Sequence, residues 1–125
     1  MPRVSEVQQA RTYIQHALEA ARETGNRSHE AEILNNLGEL AHHVGDPATA
    51  LKHHRQALAI TRATGELLGQ ATAHNHLGDC FHDLDQPHHA HRHREIALAL
   101  HHDLGMALAL PIGLINESGD GFGVG

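Results

Sequence analysis

Histidine is the side chain in this sequence best placed to do chemistry. There are 15 in 125 residues, and the densest run reads Pro87-His88-His89-Ala90-His91-Arg92-His93. On a helix His89 and His93 fall at i and i+4, and His88 and His91 at i and i+3, so two imidazoles could grip one divalent cation. Neutral imidazole suits Zn²⁺, Cu²⁺ or Ni²⁺. Against that, Arg92 and Arg94 add repelling charge, there is no cysteine pair, and a third ligand would have to come from His82 or Asp85. The plainer expectation is a helix surface carrying solvated histidines that bind such metals weakly. Metal binding at His89 and His93, or a pH-responsive binding role, is the alternative.

Catalytic patterns are thin. His93-Arg94-Glu95 matches the H-x-E half of the zinc deaminase pattern without its P-C-x-x-C half. His-Glu-x-x-His and the G-x-x-x-x-G-K-[ST] phosphate loop do not occur. The single cysteine, Cys80, shares helical spacing with Leu77 and Leu84, which predicts a buried, inert thiol rather than a nucleophile. The expectation is a protein that is not an enzyme and needs no cofactor.

The formal charge is −6 with histidine neutral, so the basic field of a nucleic-acid binder is missing at neutral pH. Protonating all 15 histidines would carry it to +9, so charge depends steeply on pH near 6.5. No secretory leader is visible, and the most apolar stretch, Met106 to Ile115, holds Pro111 and Gly113 and is far shorter than the roughly 20 residues of a membrane span. A cytoplasmic protein without a membrane partner is expected.

The elements that position these residues follow from an internal repeat. Asn35/Asn75, Leu37/Leu77, Gly38/Gly78, His42/His82, Pro47/Pro87, Ala50/Ala90, His53/His93, Ala57/Ala97 and Gly65/Gly105 recur at an offset of 40. A partial copy upstream matches Ala10, Ala17, Leu18 and Gly25 to Ala50, Ala57, Leu58 and Gly65. Only three residues are aromatic, and the 40% hydrophobic share is mostly Ala and Leu, which favours helices over a sandwich or barrel. Self-similarity at such a period marks stacked supersecondary units sharing one core.

Helical spacing predicts a first helix capped by Ser5 with Gln8 and ending near Thr24 at Gly25, then a second capped by Ser28 and ending at Gly45. Asp46-Pro47 opens a third that Gly65 stops. A fourth carries Leu68, Ala71, Leu77 and Phe81; a turn at Asp85 to Pro87 leads to a fifth, which Gly105 closes. This divides the chain into a repeat domain, 4–105 (half unit 4–25, unit one 28–65, unit two 66–105), and an irregular Gly-rich tail, 106–125.

Leu34-x2-Leu37-Gly38-x2-Ala41 followed by Ala50-x3-His54 and Ala57 resembles the tetratricopeptide signature W-x2-L-G-x2-Y…A-x3-F, as does His74-x2-Leu77-Gly78-x2-Phe81 with Ala90-x3-Arg94 and Ala97. Ala41 stands for one aromatic of that pattern, and His54 and Arg94 for another. The small residues have a physical role: Gly38 and Gly78 let the paired helix approach, and Ala50, Ala57, Ala90 and Ala97 fill close contacts. The resemblance implies an all-α fold of about five helices, in antiparallel pairs stacked as a short right-handed α-solenoid. The wording Leu34-Asn35-Asn36-Leu37-Gly38 with Gln56-Ala57-Leu58 is similar to the 40-residue tetratricopeptide arrays of actinobacterial signalling regulators and kinesin light chains. That implies a scaffold for a protein or peptide, such as a regulator's sensing arm.

In such arrays the first helix of each pair lines a concave groove, and the Asn before the Leu-Gly pair commonly holds the backbone of an extended peptide. The resemblance thus implies Asn36 as leading contact, with Glu32, Asn35, Glu39 and His43 in unit one and Thr72, Asn75, Asp79 and Asp83 in unit two. His76 stands in the second copy where unit one has Asn36. The acidic balance favours a basic or neutral ligand segment. The last helix has no cap, which leaves a face for a second copy to cover.

Overall fold

A computed structural model describes residues 3–119, with side chains described for 3–105. Five helices follow in order: α1 (Val4–Glu23), α2 (Arg27–His43), α3 (Pro47–Thr64), α4 (Leu67–Asp83) and α5 (Pro87–Gly119). Among the described residues there is no strand. Each helix packs on the next, and α2 also meets α4, so the first helices of units one and two lie side by side.

The breaks between helices share one chemistry. Gly25, Gly45 and Gly65 take left-handed backbone, with φ of +70°, +88° and +76°, and Asp85 takes the equivalent place at φ +59°. One residue further on, the N–H groups of Asn26, Asp46, Glu66 and Gln86 reach back to the carbonyls of Ala21, Ala41, Thr61 and Phe81 at 2.9–3.0 Å. This is the Schellman closure, which satisfies helix-end carbonyls and needs one left-handed residue. The same four residues accept the first backbone bond of the following helix, at 2.9–3.1 Å. Asp46 caps α3 as expected, accepting from the Thr49 N–H at 3.2 Å, and Pro47 opens the first turn.

Three expected boundaries move. The cap of α2 is Asn26, whose Oδ1 accepts from the His29 N–H at 3.1 Å. Ser28 lies inside the helix and donates its hydroxyl to Glu66 at 2.7 Å instead. α1 begins before Ser5: Arg3 is the cap residue, and its N–H donates to Glu6 at 3.1 Å. The break expected at Gly105 does not occur, and α5 continues through Gly105, Pro111 and Gly113 to Gly119. At each earlier break the left-handed residue is followed by a polar side chain that starts a new helix; Gly105 is followed by Met106-Ala107-Leu108, which offers no cap and favours continuation. Residues 120–125 of the expected tail lie outside the described residues.

Small and aliphatic side chains make the core. Leu18 and Ala21 of α1 pack with Ala31, Ile33, Leu34 and Leu37 of α2 and with Ala57 and Ile60 of α3. Leu58 of α3 meets Ala73 and Leu77 of α4, and Ala41, Ala50 and Cys80 form a further cluster. Ala50, Ala57, Ala71 and Ala73 are wholly buried, so the helices approach where a larger residue would hold them apart. A buried carboxylate ties α1 to α2: Glu30 accepts from Arg22 at 3.0 Å and from Arg27 at 2.9 Å. Two donors offset the desolvation that a lone buried charge would carry.

Candidate functional site

The space between α2 and α4 is a groove of about 700 Å³. A residue recurring at i, i+4 and i+7 stays on one helix face. On α2 that face presents Glu32, Asn36 and Glu39; on α4 the residues 40 further on are Thr72, His76 and Asp79. All but Asp79 line the groove, joined by Asn35, by Ser28 and His29 at the start of α2, and by Leu67 and Leu68 at the start of α4. Leu67 and Leu68 are 41% and 58% exposed, an apolar shelf at one end. Glu39 and His76 also line a smaller adjoining cavity of about 290 Å³, with His42, His43, His54, Asp79 and Cys80.

Of the residues picked out in the sequence, the groove therefore gathers Glu32, Asn35, Asn36, Glu39 and Thr72, and the adjoining cavity gathers His43 and Asp79 with Glu39. Asn75 and Asp83 stand outside both linings. Asn75 is exposed, whereas Asn35, which it repeats, is half-buried against His54. Asp83 is held by His42 across the α2–α4 contact. His76, which the 40-residue offset sets in the place of Asn36, lines both the groove and the adjoining cavity.

Polar pairing orders the groove walls. His76 approaches Glu39 at 3.5 Å across the two helices, and His29 approaches Glu32 at 3.2 Å along α2. Asp79 accepts from Arg94 at 3.0 Å. Glu66 accepts from Ser28 and from Thr64 at 2.8 Å, and those bonds hold its carboxyl below the usual range.

Beneath the wall lies His54, 1% exposed, at the place of a signature aromatic. Its ring fits because Gly38 has no side chain: a Cβ there would lie 2.5 Å from His54 Cε1 and Nε2. His54 Nδ1–H donates to Asn35 Oδ1 at 2.8 Å, and the ring stacks on His76 with centroids 4.5 Å apart and planes 7° from parallel. Burial, then the neighbouring His76, His53 and His42, push its pKa down to about 3, so the ring is neutral. In unit two the equivalent Gly78 faces Arg94, whose Cγ would lie 2.9 Å from a Cβ.

Two histidines of α5 pack on one aromatic ring of α4. His89 and His93 both stack on Phe81, at 5.0 and 5.3 Å between centroids. His93 Nδ1 lies 2.9 Å from Nδ1 of buried His74, one ring donating and the other accepting. Burial first pushes His74 down to about 4 and lowers His93, with Arg62 adding to both effects. Among the described residues no group of three or more His, Cys, Asp or Glu side chains could hold a metal ion. Cys80 is 1% exposed, and burial followed by Asp79 and Asp83 pushes its thiol up to about 11.

The tetratricopeptide repeat family model matches the chain twice, over residues 3–63 and 29–101. The chain belongs to the tetratricopeptide repeat family, and the five helices of its described residues are an α-helical repeat of that kind. Membership makes it a protein–protein interaction module. Among curated proteins, none matches the chain. Among the described residues, no helix is long and apolar enough to cross a membrane.

Proposed function

We propose that the groove between α2 and α4 binds an extended, neutral or basic segment of a partner protein, with no reaction catalysed. The observation that carries this is the facing stripe of Glu32, Asn36 and Glu39 opposite Thr72 and His76 around one open groove. Asn36 offers both a donor and an acceptor to a passing peptide backbone, which lacks a strand partner of its own. His76 repeats that offer one unit further along. Glu32 and Glu39 give the walls a negative field that favours Lys or Arg on the ligand and disfavours an acidic one. Leu67 and Leu68, half exposed at one end, supply apolar contact area for an anchoring side chain.

Selection from a displayed library of random peptides tests this. The purified protein at pH 7.5 is expected to enrich segments with one apolar residue and at least one Lys or Arg. Their binding should fall tenfold or more in the Asn36→Ala, Thr72→Ala double variant, with its melting temperature kept. Failure to enrich any sequence, or equal binding by the double variant, would contradict the groove assignment.

A further inference from the structure

His54 sits where three helices meet and contacts two residues that line the groove. Asn35 of α2 accepts its Nδ1–H at 2.8 Å, and His76 of α4 lies flat on its ring at 4.5 Å. Its Cε1–Nε2 edge occupies the space left by Gly38, against the α2 backbone. An imidazole in that seat has a role only while neutral. A second proton would place a full charge in a site 1% exposed, and the cost of an unpaired buried charge expels the ring or keeps the proton off.

The charged and titratable groups around it make that outcome firmer. From α2 come His42, His43 and Glu39, from α3 its neighbour His53, and from α4 His76, Asp79 and the Cys80 thiol. The imidazoles repel a cation at position 54. The two carboxylates are already engaged, Glu39 with His76 at 3.5 Å and Asp79 with Arg94 of α5 at 3.0 Å. No hydrogen bond joins either to the His54 ring.

We propose that His54 is a proton-operated latch of the groove: neutral, it ties Asn35 and His76 to α3 beneath them; protonated, it leaves its seat and both walls lose that support. Acid then opens the α2–α3–α4 packing. The consequence that a bound segment is released in acid rests on the groove reading above; the latch itself does not.

The test is urea unfolding of the full chain at intervals from pH 7.5 to 5.0, for the wild type and for His54→Phe, which keeps an aromatic ring over Gly38 without a titratable nitrogen. Because the unfolded chain takes up a proton at His54 that the folded chain refuses, the wild-type unfolding constant should gain about tenfold more per pH unit below pH 6.5 than that of His54→Phe. Parallel pH slopes for the two proteins would overturn the proposal. Should His54→Phe not fold, the wild type decides through the nuclear magnetic resonance signal of the His54 ring. That signal is expected to stay at its neutral position for as long as the folded spectrum persists, and titration near pH 6.5 within an intact fold would overturn the latch. A protein that selects no peptide at pH 7.5 but shows the extra proton in the urea series would refute the groove reading alone.

Discussion

Two glycines at equivalent positions show how one side chain decides the cost of another. A Cβ at Gly38 would lie 2.5 Å from the ring of His54, which is buried and held by Asn35 and His76. At Gly78 the obstacle is Arg94, an exposed and flexible side chain, together with the Ala90 carbonyl oxygen at 3.3 Å. Gly38→Ala is therefore expected to cost about 2–3 kcal/mol as an overpacked site, and Gly78→Ala about 1 kcal/mol as Arg94 swings aside. Urea midpoints of the two variants check the order, and equal costs would refute this account of His54. The close approach at both glycines was legible from the Leu-Gly pairs in the sequence. What stood on the other side was not, because a repeat pattern gives the position of a contact and not the side chain's tilt into it. Asn35 is the clearest case: the same asparagine that was read as groove lining also serves as the acceptor for a buried imidazole.

At the level of the helix, the breaks carry the regularity of the chain. A left-handed residue recurs every 20 positions, at Gly25, Gly45, Gly65 and Asp85, and each is followed by a residue whose backbone closes one helix and starts the next. Asn26 adds a side-chain cap on the His29 N–H. Asn26→Ala is expected to destabilise the protein by about 1 kcal/mol, read as a shift of the urea midpoint with an unchanged slope, whereas Ser28→Ala should lose only an exposed hydroxyl contact to Glu66 and stay within about 0.5 kcal/mol. The reverse order would restore Ser28 as the cap. The sequence marked these turns through their glycines, but Asn26 and Ser28 are both good capping residues two apart, and only the backbone geometry distinguishes them. The turn at Asp85 carries no glycine, and the short polar side chain of Asp85 makes its left-handed backbone tolerable. Gly105 sent the opposite message: a glycine at the right interval does not end a helix when nothing after it can begin another.

As a whole, the molecule is an array in which burial has replaced aromatic bulk with histidine. His54 and His74, both at most 2% exposed, have folded pKa values pushed to about 3 and about 4 against an ordinary 6.5. A base whose pKa is depressed on folding binds more protons unfolded, so between about pH 4 and 6.5 the unfolded state takes up more protons and stability rises with pH, levelling off above about pH 7. Cys80 reports the same global event. Its thiol is buried and raised to about 11, so alkylation by iodoacetamide at pH 8 is expected to be slow in the folded protein and to accelerate at the urea concentration where circular dichroism shows the helices melting. Rapid alkylation before the helices melt would show that α4 opens locally. The all-helical class was legible from the Ala- and Leu-rich composition and the helical spacing, and the pairing of helices from the tetratricopeptide resemblance that the repeat carries. The neutral state of the central histidines was not, since composition counts titratable groups without saying which of them the fold buries.

The groove between α2 and α4 is the claim on which the functional reading stands, and amide shift mapping with a peptide selected at pH 7.5 tests it most directly. Titration of that peptide into isotope-labelled protein is expected to move the signals of Glu32, Asn36, Thr72 and His76 first, with those of α1 little changed. A footprint on α1 or on the outer face of α5, with the α2 and α4 signals unmoved, would contradict it.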